Sequence, residues 1–234
     1  MKCEEKLQEI LEIYQLVSRL SDKNGCEVLR LRHREMGRDI VLHRLPEYNS
    51  VYETLCAVRC QNLPAVYETF KLDDGMIVLE EYIDGMTVSQ VSESGKYRKR
   101  GAAGVVISVC NALDVLHQNG IVHRDIKPEN VMVTVNGRVV VIDFNAARRV
   151  TTASRDTVVM GTVGYASPEQ LGISQSDARA DIYAAGVLLN VMVTGVHPIE
   201  KVARGKIGRI VRKCTSIHPG DRYQSASKLA AALY

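Results

Sequence analysis

From Ile182 to Ile199 the chain contains no Asp, Glu, Lys or Arg. A run of that length raises the question of a membrane span. Asn190, Thr194, Gly195, His197 and Pro198 lie inside it, however, and Asp181 stands at its head. A helix buried within a protein core and followed by a turn is the better solution, and such a helix needs other elements wrapped around it. The remaining chain can supply them. With 234 residues, 46% of them hydrophobic and 24% charged, it has the balance of an ordinary soluble globular protein. That length suits one domain, or two small lobes around a shared cleft. The apolar content excludes disorder as the main state. A net charge of +3 gives no basis for a nucleic-acid or membrane partner.

Cysteines occur at 3, 26, 56, 60, 110 and 214, with no Cys-x-x-Cys pair, and Cys56 and Cys60 have no matching Cys/His pair to make a zinc site. Scattered thiols of this kind read as reduced, and the start Met-Lys-Cys-Glu-Glu-Lys lacks the apolar core of a signal peptide. The expected location is cytoplasmic.

The patterning changes along the chain. Leu7, Ile10, Leu11 and Tyr14 follow helical spacing. Val28–Leu31 and Ile40–Leu42 read as short strands around a polar turn at 33–38. Tyr52–Val58 reads as a helix, and Ala65–Leu72 and Met76–Ile83 read as strands joined by Asp73-Asp74-Gly75. After Asp84-Gly85 the pattern is mostly helical. Val106, Val109, Cys110, Leu113 and Leu116 mark one helix face, and further helices are predicted at 181–193, 207–214 and 225–233. Between them, Val131–Val133 and Val139–Ile142 bracket the turn dipeptide Asn136-Gly137. Residues 145–167 read as a long loop, which in a compact domain is usually functional. The sequence thus predicts an α+β chain with a β-rich lobe at 1–83 and a mostly helical lobe at 84–234.

The chemistry concentrates in His123-Arg124-Asp125-Ile126-Lys127-Pro128-Glu129-Asn130, a constrained loop between a helix and a hairpin. It holds a carboxylate, an ammonium and an amide within six residues, and Asp143 follows where the next strand ends. Carboxylates with an amide are hard oxygen ligands suited to Mg²⁺. A carboxylate and a lysine in one loop suit transfer of a negatively charged group to a hydroxyl.

These residues resemble the eukaryotic-type (Hanks-type) protein kinases. His-Arg-Asp-x-Lys-Pro-x-Asn matches the family's catalytic loop. Asp143-Phe144-Asn145 matches its metal-binding Asp-Phe-Gly with one change. Gly161 to Glu169 matches the end of the activation segment with Ser167 for Ala, and Asp181 to Gly186 matches the start of the buried central helix. Arg222 matches the late arginine that pairs with the glutamate of that segment end. The Arg-Tyr-Gln-Ser-Ala ending is similar to bacterial serine/threonine kinases. The resemblance implies the bilobal kinase fold, with ATP and Mg²⁺ as cofactors. It implies that Asp125 orients the substrate hydroxyl, that Lys127 contacts the γ-phosphate, and that Asn130 and Asp143 hold Mg²⁺. His123 and Phe144 would stack in a spine, Asp181 would anchor the catalytic loop, and the nucleotide positions would fall on Val28, Val41, Glu81, Ile83 and Met132.

The resemblance weakens in the first lobe. On the family's glycine loop, aligned at Leu20–Val28, the three glycines become Ser21, Lys23 and Cys26, with Gly25 one place off. His43 stands where the family has the lysine that holds the α- and β-phosphates. The position of that lysine's glutamate partner falls near Val51, and Glu53 is the nearest acid. Glu80 occupies the usually apolar place before the hinge pair Glu81-Tyr82. Losing the lysine contact costs roughly 10- to 150-fold, at about 1.5–3 kcal/mol for a charge-assisted hydrogen bond. Lys23, and Arg30 and Arg32 at the strand parity of Val28, are candidate replacement cations, as is a protonated His43. Asn145 is a mild change, since Asn tolerates positive φ.

Arg148, Arg149, Thr151, Thr152, Ser154, Arg155, Thr157 and Thr162 fall in the expected activation loop, where a phosphorylated Thr could pair with Arg124. Lys96-Tyr97-Arg98-Lys99-Arg100 and the stripe Lys206, Arg209, Arg212 and Lys213 read as solvated faces. The short stretch Gly195–Lys206 leaves little room for a substrate-docking helix. The expected function is a small serine/threonine protein kinase acting on a protein substrate or on itself, with no nucleic acid and no membrane. The alternatives are a pseudokinase scaffold and a small-molecule phosphotransferase, the latter lacking a matching Ser-Pro-Glu segment end.

Overall fold

A computed structural model of the chain describes residues 2–23, 25–93, 99–150, 164–171 and 177–234. It forms two compact units: Met1–Cys60 with Pro64–Ile83, and Gln61–Leu63 with Asp84–Tyr234.

The first unit contains α1 (Cys3–Ile13), β1 (Tyr14–Lys23), β2 (Cys26–His33), β3 (Asp39–Leu45), α2 (Ser50–Ala57), β4 (Val66–Leu72) and β5 (Gly75–Glu81). The strands form one antiparallel sheet in the order β1-β2-β3-β5-β4. Side chains alternate across a strand, so Leu29, Leu31, Ile40, Leu42, Ile77 and Leu79 share a face. They pack there with Cys3, Leu7, Ile10 and Leu11 of α1. Register places Val28, Val41, His43, Val78 and Glu80 on the opposite face. There α2 contributes Tyr52, whose ring lies 6.1 Å from that of His43.

Strand β1 is an element the sequence pattern does not display. It is an edge strand with mostly exposed side chains, and two register shifts, at Leu16/Ser18 and Arg19/Ser21, scramble its period of two. Tyr14, assigned by spacing to the helix, begins this strand and still packs on the same core. At the other end Lys23 pairs with Cys26, and Gly25 beside them sits at φ +77°. The glycine that looks misplaced against a phosphate loop is a turn glycine. The later hairpin is also tighter than its sequence suggests. Leu72 pairs with Gly75, which sits at φ +145°, where an added Cβ would lie 2.1 Å from the Leu45 carbonyl oxygen.

The second unit contains β6 (Gly85–Thr87), α3 (Val88–Glu93), α4 (Lys99–Gln118), β7 (Ile121–Val122), β8 (Val131–Thr134), β9 (Val139–Val141), β10 (Arg148–Arg149), α5 (Ala178–Thr194), α6 (Gly205–Cys214) and α7 (Ala226–Leu233), with 3₁₀ turns at Pro128–Asn130, Pro168–Leu171 and Pro219–Asp221. The charge-free run is the buried helix α5, packed against α4 and α6. It is capped by Asp177, whose side chain accepts from Arg179 N, and ends at Gly195 in the left-handed conformation, φ +79°. Buried Asn190 then holds the short connection to α6. Its Nδ2 donates to Val196 O (2.9 Å) and Lys201 O (2.8 Å), and its Oδ1 accepts from Ala203 N (2.9 Å). Helix α6 buries Ile210, Val211 and Cys214 and exposes Lys206, Arg209, Arg212 and Lys213.

Gln61–Leu63, assigned from sequence to the first lobe, belong to the second unit. Val141 N donates to Asn62 O (2.9 Å), Asn62 Nδ2 to Val139 O (2.8 Å), and Arg138 Nε to Gln61 O (2.7 Å). A linear boundary cannot register strand edges that recruit a distant segment. Cys3, Cys56, Cys110 and Cys214 are free thiols. No helix among the described residues is long and apolar enough to cross a membrane. The basic run at 96–98 and the hydroxyls Thr151, Thr152, Ser154, Thr157 and Thr162 lie outside the described residues.

Candidate active site

The loop after β7 is built around one buried carboxylate. Asp181, in the first turn of α5, accepts from His123 N (2.9 Å), Arg124 N (2.8 Å) and His117 Nε2 (2.8 Å). Burial opposes its ionisation, but the His117 hydrogen bond and the surrounding donors hold the carboxyl below its ordinary value. Those two backbone bonds flank Arg124, which sits at φ +68°, a conformation that costs a non-glycine residue energy and persists only where surroundings enforce it. Burial pushes the His123 imidazole below its usual pKa. Its ring meets Phe144 at 5.3 Å between centroids, edge to face.

With the loop fixed, its side chains converge. Lys127 Nζ donates to Asp125 Oδ2 at 2.7 Å. Asn130 Nδ2 donates to the same oxygen and to Asp125 O, both at 2.9 Å. Pro128 starts the 3₁₀ turn that delivers Asn130, and Ile142 N donates to Asn130 O at 2.9 Å. That bond ties the loop to the residue before Asp143. Asp143 adopts φ +67°, and its Oδ1 accepts from Asn145 N at 3.1 Å. The left-handed residue of this motif is therefore Asp143, not Asn145, so the tolerance of Asn for positive φ is not what makes the Gly-to-Asn change acceptable.

The donor set fits a hard cation. Asn130 spends its Nδ2 on Asp125, which leaves its carbonyl oxygen, and Asp143 keeps Oδ2. Among the described residues no group of three or more His, Cys, Asp or Glu side chains could hold a metal. A cation here would rest on one carboxylate and one amide, with the rest of its shell from phosphate and water, as Mg²⁺ commonly does.

Two further contacts brace the loop. Gln170 Nε2 donates to Arg124 O (2.8 Å), while its Oε1 accepts from Ser167 N and Oγ (3.1 Å each). Arg222 makes a buried bidentate pair with Glu169, at 2.5 and 2.8 Å, and also donates to Ser216 O, Ile217 O and Arg179 O.

In the first unit the phosphate-side candidates have other partners. His43 Nε2 is 2.8 Å from Glu80 Oε1, and the two side chains are 7% and 6% exposed. Val51 is buried and Glu53 is exposed, so α2 supplies Tyr52 to His43 rather than an acid. Arg30 and Arg32 are not spare cations. Both bind Asp39, and Arg30 also stacks 4.2 Å over Tyr82. The Arg32 hydrogen bond, with Arg30 adding to it, lowers the Asp39 pKa to about 2. Lys23 is exposed, and its register partner Cys26 puts it at the parity of Val28 and His43. Val41 and Ile83 are buried. Glu81 turns its side chain to Ala65 N (3.1 Å), and Met132 lies in β8 opposite Val140 and Thr87. Sequence reasoning noted His43 and Glu80 as separate oddities. Two polar residues in adjacent buried strands were the signal that they pair.

This is the architecture of a protein kinase domain, and residues 45–231 match the protein kinase domain family; the chain belongs to it. The match begins just after His43, leaving out the hairpin that lacks the glycines. Curated relatives include the probable serine/threonine-protein kinase PknB of Corynebacterium glutamicum, 36% identical over 74% of this chain and 32% of its own length. The serine/threonine-protein kinases PknB of Mycobacterium leprae and Mycolicibacterium smegmatis are 30% and 29% identical, each over 92% of this chain and 40% of its own. The chain thus spans roughly a third to two fifths of these relatives.

Proposed function

We propose that the chain is a serine/threonine protein kinase of low activity that transfers the ATP γ-phosphoryl group to a Ser or Thr hydroxyl, mainly on its own molecules. The observation that carries this is the convergence of Lys127 and Asn130 on Asp125 Oδ2. In this reading Asp125 accepts or orients the hydroxyl proton, and Lys127 neutralises charge on the moving phosphoryl group. Asn130 and Asp143 hold Mg²⁺, which supplies charge neutralisation across the phosphates when bound. The names of the curated relatives support serine/threonine specificity. The stretch between α5 and α6 carries only turns, consistent with action on the chain itself rather than on a separately docked substrate.

The engagement of His43 by Glu80 favours a second reading, a pseudokinase that scaffolds without efficient transfer. Incubation with labelled ATP and Mg²⁺ separates the two. The kinase reading expects label on the wild type and none above background on Asp125→Asn. Equal label on both, or none on either together with no thermal shift from Mg-ATP, supports the scaffold.

A further inference from the structure

Helix α6 turns a basic face to solvent. Residues 201–218 hold six Lys and Arg and no Asp or Glu. All six, Lys201, Arg204, Lys206, Arg209, Arg212 and Lys213, are exposed. Packing uses only the other side of the helix, where Gly208, Ile210, Val211 and Cys214 are buried. Like charges three and four residues apart on a helix repel one another, so this face is eased by an anionic partner. Exposed isoleucines flank it, Ile199 at 86% and Ile217 at 73%.

The same chain carries a face that matches. Helix α1 exposes Glu4, Glu5, Glu9 and Glu12, with the exposed Ile13 at its end. Read forwards, Glu5, Glu9 and Glu12 step by four and then three residues. Read backwards, Lys213, Arg209 and Lys206 also step by four and then three. At 3.6 residues per turn, each trio forms a stripe about 60° wide and about 10 Å long. Two helices laid antiparallel would set Glu5 against Lys213, Glu9 against Arg209 and Glu12 against Lys206. The acids are weakly engaged within their own molecule. Glu4 meets Arg44 at 3.1 Å, Glu5 accepts from Lys2 N at 3.1 Å, and Glu9 meets Lys6 at 2.8 Å. Exposed contacts of this kind contribute little. Lys6 itself is drawn aside, 4.2 Å over the Phe70 ring.

We propose that the α6 face of one copy of this chain docks the α1 face of a second copy. The two faces differ, so the contact is heterologous and can repeat from copy to copy. It requires neither nucleotide nor phosphoryl transfer, and it brings together the two molecules that autophosphorylation in trans would need.

The test is sedimentation equilibrium of the full chain without nucleotide. Three exposed ion pairs make a weak contact. In about 50 mM NaCl the weight-average mass of wild type should rise at least about 1.5-fold between about 5 and about 200 µM, as for a Kd near 100 µM. In about 1 M NaCl, where charges are screened beyond about 3 Å, it should stay at the monomer value. Glu9→Lys with Glu12→Lys, and separately Lys206→Glu with Arg209→Glu, should each be monomeric in low salt. An equimolar mixture of these two variants should associate again, because each then offers the face that the other lacks. Recovery in the mixture also shows that neither variant has lost its fold. A wild type that stays monomeric in low salt, association that survives about 1 M NaCl, variants that associate like wild type, or a mixture that stays monomeric would each overturn the proposal. If wild type is monomeric yet binds phosphatidylserine vesicles or duplex DNA, and the α6 variant does not, the basic face belongs to that polyanion and the proposal fails.

Discussion

Asp181 and Glu80 are both carboxylates with almost no solvent exposure, and the two units satisfy them differently. Asp181 accepts three hydrogen bonds, two of them from the backbone of the loop it anchors. Glu80 has His43 on one oxygen, while its Oε2 is buried with no hydrogen-bond partner among the described residues. A buried ionised group needs several donors to offset its lost hydration. The second unit meets that condition repeatedly, again at Arg222, whose nitrogens reach Glu169 and three carbonyls. Fixed charges of this kind define a geometry for chemistry. In the first unit the buried Glu80 has one oxygen on His43, Arg30 and Arg32 share Asp39, and Lys23 is exposed. The difference locates dense bonding in the second unit, around the loop that Asp181 anchors.

The sharpest way to break this comparison is Asp125→Asn. If the second unit holds the working chemistry, transfer should fall by roughly 100-fold or more, the usual scale for removing a general base, while the thermal midpoint barely moves. Retained transfer would place the chemistry elsewhere. Next in size is Glu169→Gln, which leaves Arg222 buried without its anion. Breaking a buried pair costs about 3–5 kcal/mol, readable in urea unfolding. A cost below 1 kcal/mol would mean that the three carbonyls suffice for Arg222 and that the dense bonding of this unit is redundant. Gly186→Ala probes the packing below: its Cβ would lie 2.2 Å from Cys214 Cβ, so α5 and α6 must separate, at about 1–3 kcal/mol for overpacking.

An acid titration turns the comparison to the first unit. Asp39 is depressed from 3.8 to about 2, first by its hydrogen bond to Arg32. A group depressed in the folded state stabilises it above the unfolded value and loses that contribution as pH falls through the folded value. Stability from Asp39 is therefore complete above about pH 4 and fades towards about pH 2. Urea midpoints of wild type and Asp39→Asn should differ at pH 6 and converge near pH 2. A gap that persists at pH 2 would mean that Asn removes something other than the two arginine contacts.

The sequence displayed these units unequally, for a physical reason. In the second unit the side chains that matter sit close together along the chain, from His123 to Asn130, or at one end of a helix of unmistakable patterning. The Glu169–Arg222 pair, distant in sequence, was legible only through resemblance to the kinases. In the first unit the informative relations are between strands. Residues 14–23 do not alternate because register shifts interrupt them, and Gly25 was read against a phosphate loop although its left-handed backbone serves the turn between β1 and β2. His43 and Glu80 are 37 positions apart, so no local pattern joins them. Register does, and register is what a single sequence specifies least.

Lys23→Ala has the smallest expected effect and asks whether the first unit holds a cation for phosphate. Lys23 ends β1 at the parity of Val28 and His43 and is exposed. An exposed ammonium contributes up to about 1 kcal/mol, and salt screens it. Mg-ATP affinity should therefore drop by no more than about fivefold in low salt, with the difference vanishing at high ionic strength. A salt-resistant loss of tenfold or more would show that Lys23 closes onto bound phosphate with the water excluded. The hairpin that looks like a degraded phosphate loop would then be a working one of different construction.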